Sequence, residues 1–425
     1  MDTAAALGRK YQPRVIDATL VDALASAGAV VIEGARATGK TMTALNVAQS
    51  YVFLDDPEVG RFLDASPRSV LEGAAPRLLD EWQIAPEVWN LVRRSVDRSS
   101  EPGRFILTGS AVPADDVTRH SGAGRFIRIR QRTMTWWEKQ DDTLSPVSLA
   151  ALFSGERPMS DIDHMPDLES VISRVMLSGF PALTNFTDQK AANRLRAYAD
   201  EIARVDIPRL ADVRHQPEVI RQLIVSLARS VASEVTFTTL AADLRPIAPS
   251  IDVKTVGAYV ELLQRLFVVE AQWPWAPALR SRARVRTSPK YHLVDPSFAA
   301  AVLRATPDRL RNDLTTLGAL FESAVVHDLS VFADALGGEV RHYRDSNNKE
   351  IDAVVTLADG RWGAVEVKLG GRRFADGVTS LNRVIDQIDT YRVGDPAFRL
   401  VVTGTGPTLV TDDGVITAPL AALAP

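Results

Sequence analysis

Through its first 147 residues the chain alternates short apolar, β-rich runs with helix-like stretches. Val30–Glu33, Tyr51–Leu54, Arg77–Asp80, Phe105–Thr108 and Phe126–Arg130 read as strands, bounded by polar or turn residues. Thr41–Ser50, Pro57–Ala65 and Pro86–Asp97 read as the helices between them. Parallel neighbours cannot be joined by a tight turn and need a crossover, so this alternation predicts an α/β domain built on a parallel sheet. Its expected extent is residues 1–147.

From Ser148 to about Gln216 the pattern turns helical, with apolar positions in Ala191–Val205 recurring at intervals of three and four. Residues 148–216 are expected to form a helical lid or connector. Residues 217–295 hold three further helical stretches, Val219–Ser233, Thr238–Leu244 and Val253–Arg265, then β-rich Phe267–Ala271. That order suits a winged-helix region with Val253–Arg265 in the recognition position. The last segment, 296–425, reads as helix Leu317–Leu336, strands Glu339–Tyr343, Ile351–Leu357 and Trp362–Val367, helix Val378–Thr390 and strand Leu400–Thr403. Gly337-Gly338, the polar run Asp345 to Asn348 and Asp359-Gly360 punctuate it.

The chain's 425 residues exceed one ordinary core. A net charge of −4 gives no global attraction to polyanions, so any nucleic-acid contact must come from local patches. With no cysteine, disulfides, thiolate metal sites and cysteine nucleophiles are excluded. The start lacks the basic and apolar regions of a signal peptide, and no apolar run approaches the roughly 20 residues that span a bilayer. A cytoplasmic protein without membrane partners is expected.

Gly34-Ala35-Arg36-Ala37-Thr38-Gly39-Lys40-Thr41 follows the first strand and opens a helix at Met42. Glycines at both ends let successive backbone N–H groups wrap a phosphate at a helix N-terminus. Lys40 adds a charge toward the β- and γ-phosphates, and the Thr41 hydroxyl is placed to coordinate Mg²⁺. Forty residues on, the third strand closes on Asp80 and Glu81. Asp80 is expected to hold Mg²⁺ through water, and Glu81 to orient or deprotonate the attacking water. The next strand ends in Thr108-Gly109-Ser110, and either hydroxyl can face the γ-phosphate or the lytic water. Arg125, after Ser121-Gly122-Ala123-Gly124, is a candidate to reach a neighbouring subunit's γ-phosphate in a homo-oligomer, or is a surface arginine opening an Arg-rich strand. ATP and Mg²⁺ are the implied ligands.

These pieces together resemble a widespread prokaryotic family: AAA-type P-loop ATPases carrying a C-terminal domain, formerly of unknown function, that resembles PD-(D/E)XK nucleases. The resemblance rests on the phosphate loop, Leu78-Leu79-Asp80-Glu81-Trp82-Gln83, Ile106–Ser110, Gly124-Arg125, Gly179-Phe180-Pro181, Val294-Asp295-Pro296, Phe321-Glu322, Glu350-Ile351-Asp352 and Glu366-Val367-Lys368. Ser178 departs from it, standing where a second glycine is expected. The family implies ATP binding and hydrolysis and a nuclease-like domain over 296–425.

Residue chemistry points the same way in that last segment. Strand alternation puts Glu366 and Lys368 on one face, which can meet Asp352 across the intervening turn, with Glu322 supplying a further carboxylate. Asp352 and Glu366 can hold a divalent ion while Lys368 stands beside the attacking water, as phosphodiester cleavage requires. The alternative is a salt-bridged, non-catalytic scaffold used for docking. Arg280, Arg282, Arg284 and Arg286, followed by Lys290, form a period-two basic strip expected to contact nucleic acid phosphates, and Arg128, Arg130 and Arg132 make a second alternation. The histidines have no metal-binding spacing, Asp295-Pro296 reads as a helix cap, and Trp136, Trp137, Trp273 and Trp275 read as packing residues. The sequence therefore predicts an ATPase acting on nucleic acid; the rivals are an ATP-dependent switch with a docking domain and a P-loop phosphotransferase.

Overall fold

Ala29-Val30-Val31-Ile32 lies at the heart of a five-stranded parallel sheet in the computed structural model, which describes residues 8, 10–99, 101–111, 124–139, 146–211, 216–277, 288–345 and 349–425. The chain divides into two units: Met1–Thr133 with Phe180–Ala182 and Arg265–Val268, and Met134–Gly179 with Leu183–Gln264 and Val269–Pro425.

In the first unit the strands are β1 (Ala29–Glu33), β2 (Ser50–Phe53), β3 (Arg77–Asp80), β4 (Phe105–Gly109) and β5 (Phe126–Arg130), in the order β2-β3-β4-β1-β5. Strand alternation divides β1 between two cores. Ala29 and Val31 join Leu79, Leu107 and the Val88, Trp89 and Val92 stripe of α4 (Glu87–Asp97) on one face. Val30 and Ile32 join Leu78, Ile106, α1 (Ile16–Ser26) and α2 (Lys40–Val47) on the other. Each of the valines, leucines and isoleucines among them, taken out of water, contributes about 1.5–3 kcal/mol. Helix α3 (Pro57–Ala65) completes the crossovers. The order puts β4 between the strand that leads into the phosphate loop and the strand that ends in Asp80, so the ends of all three converge.

The second unit is helical before it is β-rich. It runs through β6 (Val147–Ser148), α5 (Leu168–Met176), α6 (Asp188–Glu201), α7 (Pro217–Arg229), β7 (Ser233–Glu234), α8 (Phe237–Leu244), α9 (Val253–Arg265, at whose end the first unit takes over), β8 (Val269–Gln272) and β9 (Lys290–Leu293). Strands β7, β9 and β8 form a small antiparallel sheet in that order. After α10 (Pro296–Val302) and α11 (Leu314–Ala335) come β10 (Glu339–Arg344), β11 (Glu350–Thr356), β12 (Trp362–Lys368), α12 (Phe374–Ile385), β13 (Phe398–Thr403), β14 (Leu409–Val410), β15 (Ile416–Pro419) and β16 (Leu423–Ala424). Six of these strands make a mixed sheet ordered β10-β11-β12-β13-β15-β14. Ile351, Val354, Trp362 and Ala364 pack there against Leu381, Val384 and Ile385 of α12.

Helix α11 corrects one expectation. By length and composition alone it is apolar enough to cross a membrane, with a mean hydropathy of 1.2, yet 72% of that window is buried inside the protein. Its packing is that of a core helix, with Leu320, Phe321 and Phe332 fully enclosed. Asp295 caps α10 as its sequence suggests, its carboxylate accepting from Ser297 N at 2.9 Å with Pro296 in the first turn. Trp136 and Trp275 pack, the latter 4.7 Å from Trp362, whereas Trp137 and Trp273 are exposed.

Candidate functional site

The phosphate loop is shaped by two glycines. Gly34 has φ +156° and lies so close to the Gln131 carbonyl that a Cβ there would sit 2.1 Å from its oxygen. Gly39, at φ +97°, turns the chain into α2. Lys40 is 5% exposed and folds back over the loop, its Nζ donating to the carbonyls of Gly34 at 2.9 Å and Ala35 at 2.7 Å. Thr38 Oγ1 closes the same turn on Ala35 O at 2.9 Å, while Arg36 and Ala37 stand exposed at its crest and Met42 is half-buried on α2. Burial pushes the Lys40 ammonium down to about 8, with Glu81 and Asp80 pulling the other way.

Asp80 is the hub. Its Oδ1 accepts from Thr41 Oγ1 at 2.9 Å and from the hydroxyl of Thr108 on β4. Burial drives its carboxyl up to about 6 against those two hydrogen bonds. Glu81 stands just past the strand in the left-handed region, φ +56°, its N–H donating to Thr108 Oγ1 at 3.2 Å. The Glu81 carboxylate accepts from the Gln83 amide and from Ser110 Oγ at 3.3 Å. The two hydroxyls that the sequence left interchangeable are thus separated in the structure, Thr108 on Asp80 and Ser110 on Glu81.

Three residues of this site were given no role from the sequence, Gln83 appearing there only as the end of the Leu78–Gln83 motif. Arg14, 8% exposed and 24 residues before Thr38, donates to Thr38 O and Arg132 O, both at 3.0 Å. Gln131 donates to Thr38 O at 3.1 Å and Thr43 Oγ1 at 3.0 Å. Gln83 holds Glu81. Arg14 stands before any recognisable motif, and Gln131 and Gln83 are amides with no spacing signal. Arg125 is paired within its own chain, Nε to Asp97 Oδ1 at 2.6 Å at the end of α4. Arg128 is exposed, but it pairs with Glu33 and lies over the Trp89 ring.

The second unit brings Glu322, Asp352, Glu366 and Lys368 together. Asp352 Oδ2 accepts from Val367 N at 2.8 Å, and Lys368 Nζ sits 2.7 Å from Glu366 Oε1. A fifth residue is present that the sequence reading had grouped with the basic strip. Lys290 is 4% exposed, not solvated, and its Nζ lies 2.8 Å from Glu322 Oε1 and 3.8 Å from Asp352 Oδ1. Burial alone would push this ammonium down, but Glu322 and Asp352 more than reverse that and hold it charged. Burial raises Glu322 and Glu366 above the usual carboxylate range. Among the described residues no group of three or more His, Asp or Glu side chains is arranged to hold a metal ion. Arg280, Arg282, Arg284 and Arg286 lie outside the described residues. On α9 the outward positions include Lys254, Ala258 and Glu261, a face without strong positive charge.

A five-stranded parallel sheet whose phosphate loop, Lys40, Thr41 and Asp80 converge at one end defines a P-loop nucleotide-binding domain. Residues 26–139 match the family described as AAA domain, in agreement with that architecture. Residues 168–309 match a domain of unknown function, DUF8612, and residues 317–423 another, DUF4143. The chain is 25% identical over 359 residues to the uncharacterized protein Rv2008c of Mycobacterium tuberculosis and, equally, to the uncharacterized protein Mb2031c of Mycobacterium bovis. Each alignment covers 83% of this chain and 72% of the relative. The solved structure of the Walker-type ATPase PABY2304 of Pyrococcus abyssi is similar at 14% identity and a TM-score of 0.40, over 69% of this chain and 96% of that one.

Proposed function

We propose that the first unit binds ATP with Mg²⁺ and hydrolyses it. The observation that carries this is the 2.9 Å contact between Thr41 Oγ1 and Asp80 Oδ1, which joins the phosphate loop to the acidic strand end. It makes a hydroxyl and a carboxylate adjacent, the oxygen donors that Mg²⁺ prefers. Mg²⁺, when bound there, supplies charge neutralisation on the phosphates. Lys40, now resting on two loop carbonyls, has its ammonium at the mouth of the loop and exchanges those carbonyls for phosphate oxygens. Glu81, held by Ser110 and Gln83, accepts the proton of the attacking water. Glu81 beside Asp80 suits activation of water, which disfavours the phosphotransferase alternative.

Hydrolysis serves a nucleic-acid or protein partner in this reading, with residues 217–295 as a winged-helix-like module and the Arg280–Arg286 strip as its phosphate contact. For the C-terminal segment, the Lys290 contacts favour docking over cutting. An intersubunit role for Arg125 requires it to leave Asp97.

The test is phosphate release from ATP by the purified full chain. Release is expected only with Mg²⁺, and Lys40→Ala is expected to lose both nucleotide binding and turnover. Turnover unchanged in Lys40→Ala would place any activity elsewhere.

A further inference from the structure

Three carboxylates from three elements converge in the second unit: Glu322 from α11, Asp352 from β11 and Glu366 from β12. Burying them together demands compensating positive charge, because an unpaired carboxylate out of water is strongly disfavoured. Lys368 answers for Glu366, two residues along the same strand. The charge facing the other two comes from elsewhere, the strand β9 of the small sheet, through Lys290.

We propose that the Lys290 ammonium is the resident cation of this cluster, seated between Glu322 and Asp352 where a divalent ion would have to stand. The cluster is then an ionic cross-link between the small sheet and the six-stranded sheet, closed to Mg²⁺ and Mn²⁺ while Lys290 is in place.

The donor oxygens do not fit a metal ion. A divalent ion of this kind needs oxygen ligands at about 2.0–2.6 Å. Glu322 Oε1 already carries Nζ at 2.8 Å, and Asp352 Oδ1 faces the same ammonium at 3.8 Å. Asp352 Oδ2 is taken by the Val367 N–H and Glu366 Oε1 by Lys368. Of the Asp352 and Glu366 oxygens, Glu366 Oε2 is buried without a hydrogen-bond partner, although the Ser380 hydroxyl draws that carboxylate down. With Nζ on Glu322 Oε1 and facing Asp352 Oδ1, those two oxygens are not free to close a divalent site around it.

The seam around Lys290 is built to hold its strand in position. His292, two residues on, meets Ser323 beside Glu322 at 3.1 Å and Gln272 Oε1 at 3.2 Å. Gln272 in turn donates to the backbone oxygen of Asp352 at 2.9 Å and of Arg341 at 3.1 Å. Just past β8, Trp275 N donates to His342 O at 2.6 Å, and His342 N donates to Trp273 O at 3.1 Å. Main-chain and side-chain bonds therefore fix β8 and β9 against β10, β11 and α11, and Lys290 is the charged member of that set. The Lys290 cross-link is independent of nucleotide turnover.

The experiment counts bound Mn²⁺ by electron paramagnetic resonance on the nucleotide-free full chain, in wild type, Asp352→Asn, Lys290→Met and the Lys290→Met/Asp352→Asn double variant. Wild type and Asp352→Asn are expected to be indistinguishable. Lys290→Met is expected to gain one Mn²⁺ per chain, at least tenfold tighter than any binding in wild type, and the double variant to lose it. A Mn²⁺ site in wild type that Asp352→Asn removes would overturn the proposal, as would a folded Lys290→Met that gains none. Should Lys290→Met fail to fold, the wild type against Asp352→Asn comparison decides by itself: a difference sinks the proposal, and identity upholds it.

Discussion

Lys40 and Asp80 are buried charges that want opposite things from pH. Asp80, raised to about 6 by burial, is ionised only above that value; Lys40, lowered to about 8, is charged only below it. Both charged forms are needed, the carboxylate to help hold Mg²⁺ and the ammonium to meet phosphate. The free protein's kcat/KM for Mg-ATP is therefore expected to be bell-shaped, rising through about pH 6 and falling through about pH 8. The linkage signs agree. A raised Asp80 contributes stability below its ordinary value of 3.8 that is lost as pH climbs through about 6. A depressed Lys40 contributes stability above 10.5 that is lost as pH drops through about 8. Between the two, the nucleotide-free protein carries both buried charges, and added Mg-ATP should raise Tm most in that window. A flat profile from pH 5.5 to 8.5 would remove these two groups from the rate.

The phosphate loop is a small element whose shape is set by neighbours distant in sequence. Arg14 and Gln131 both donate to Thr38 O, which fixes that buried carbonyl and with it the path of the loop backbone. Arg14→Ala removes one of the two side-chain donors to that carbonyl, and a net loss of about 1.5–3 kcal/mol is expected for a hydrogen bond from a charged donor. If it falls on nucleotide binding, KM for ATP rises roughly 10-fold or more with kcat changed far less; Arg14→Lys, one point charge without the fork, should recover only part. Equal KM in wild type and Arg14→Ala would show that Gln131 suffices. The five strands of the first unit and their helices were readable because buried parallel strands are continuous apolar runs between turn signals. Helix α1 was not: its buried stripe is only Leu20, Ala23 and Leu24. The end of α2 at Val47 instead of Ser50 follows from the early start of β2, which takes Ser50 into the sheet. Strands β14 and β16 are two residues each, too short for any period to show. In the C-terminal cluster Asp352 and Glu366 were readable from the 350–368 hairpin spacing, but Lys290 was not, since only the packing of β9 beside α11 and β11 brings it there.

Across the chain, one P-loop domain, one buried cluster of carboxylates and lysines, and matches to two domains of unknown function occur together. Everything downstream depends on whether the first unit turns ATP over through the assigned groups. The most direct measurement is a paired one on Glu81→Gln: equilibrium binding of Mg-ATP, and phosphate release under saturating ATP. Glu81 acts on water and does not touch the ground-state phosphates in this account, so binding should stay within a few fold of wild type while turnover drops roughly 100- to 10,000-fold, the range for loss of a general base. Wild-type turnover in Glu81→Gln, with binding intact, would contradict the account.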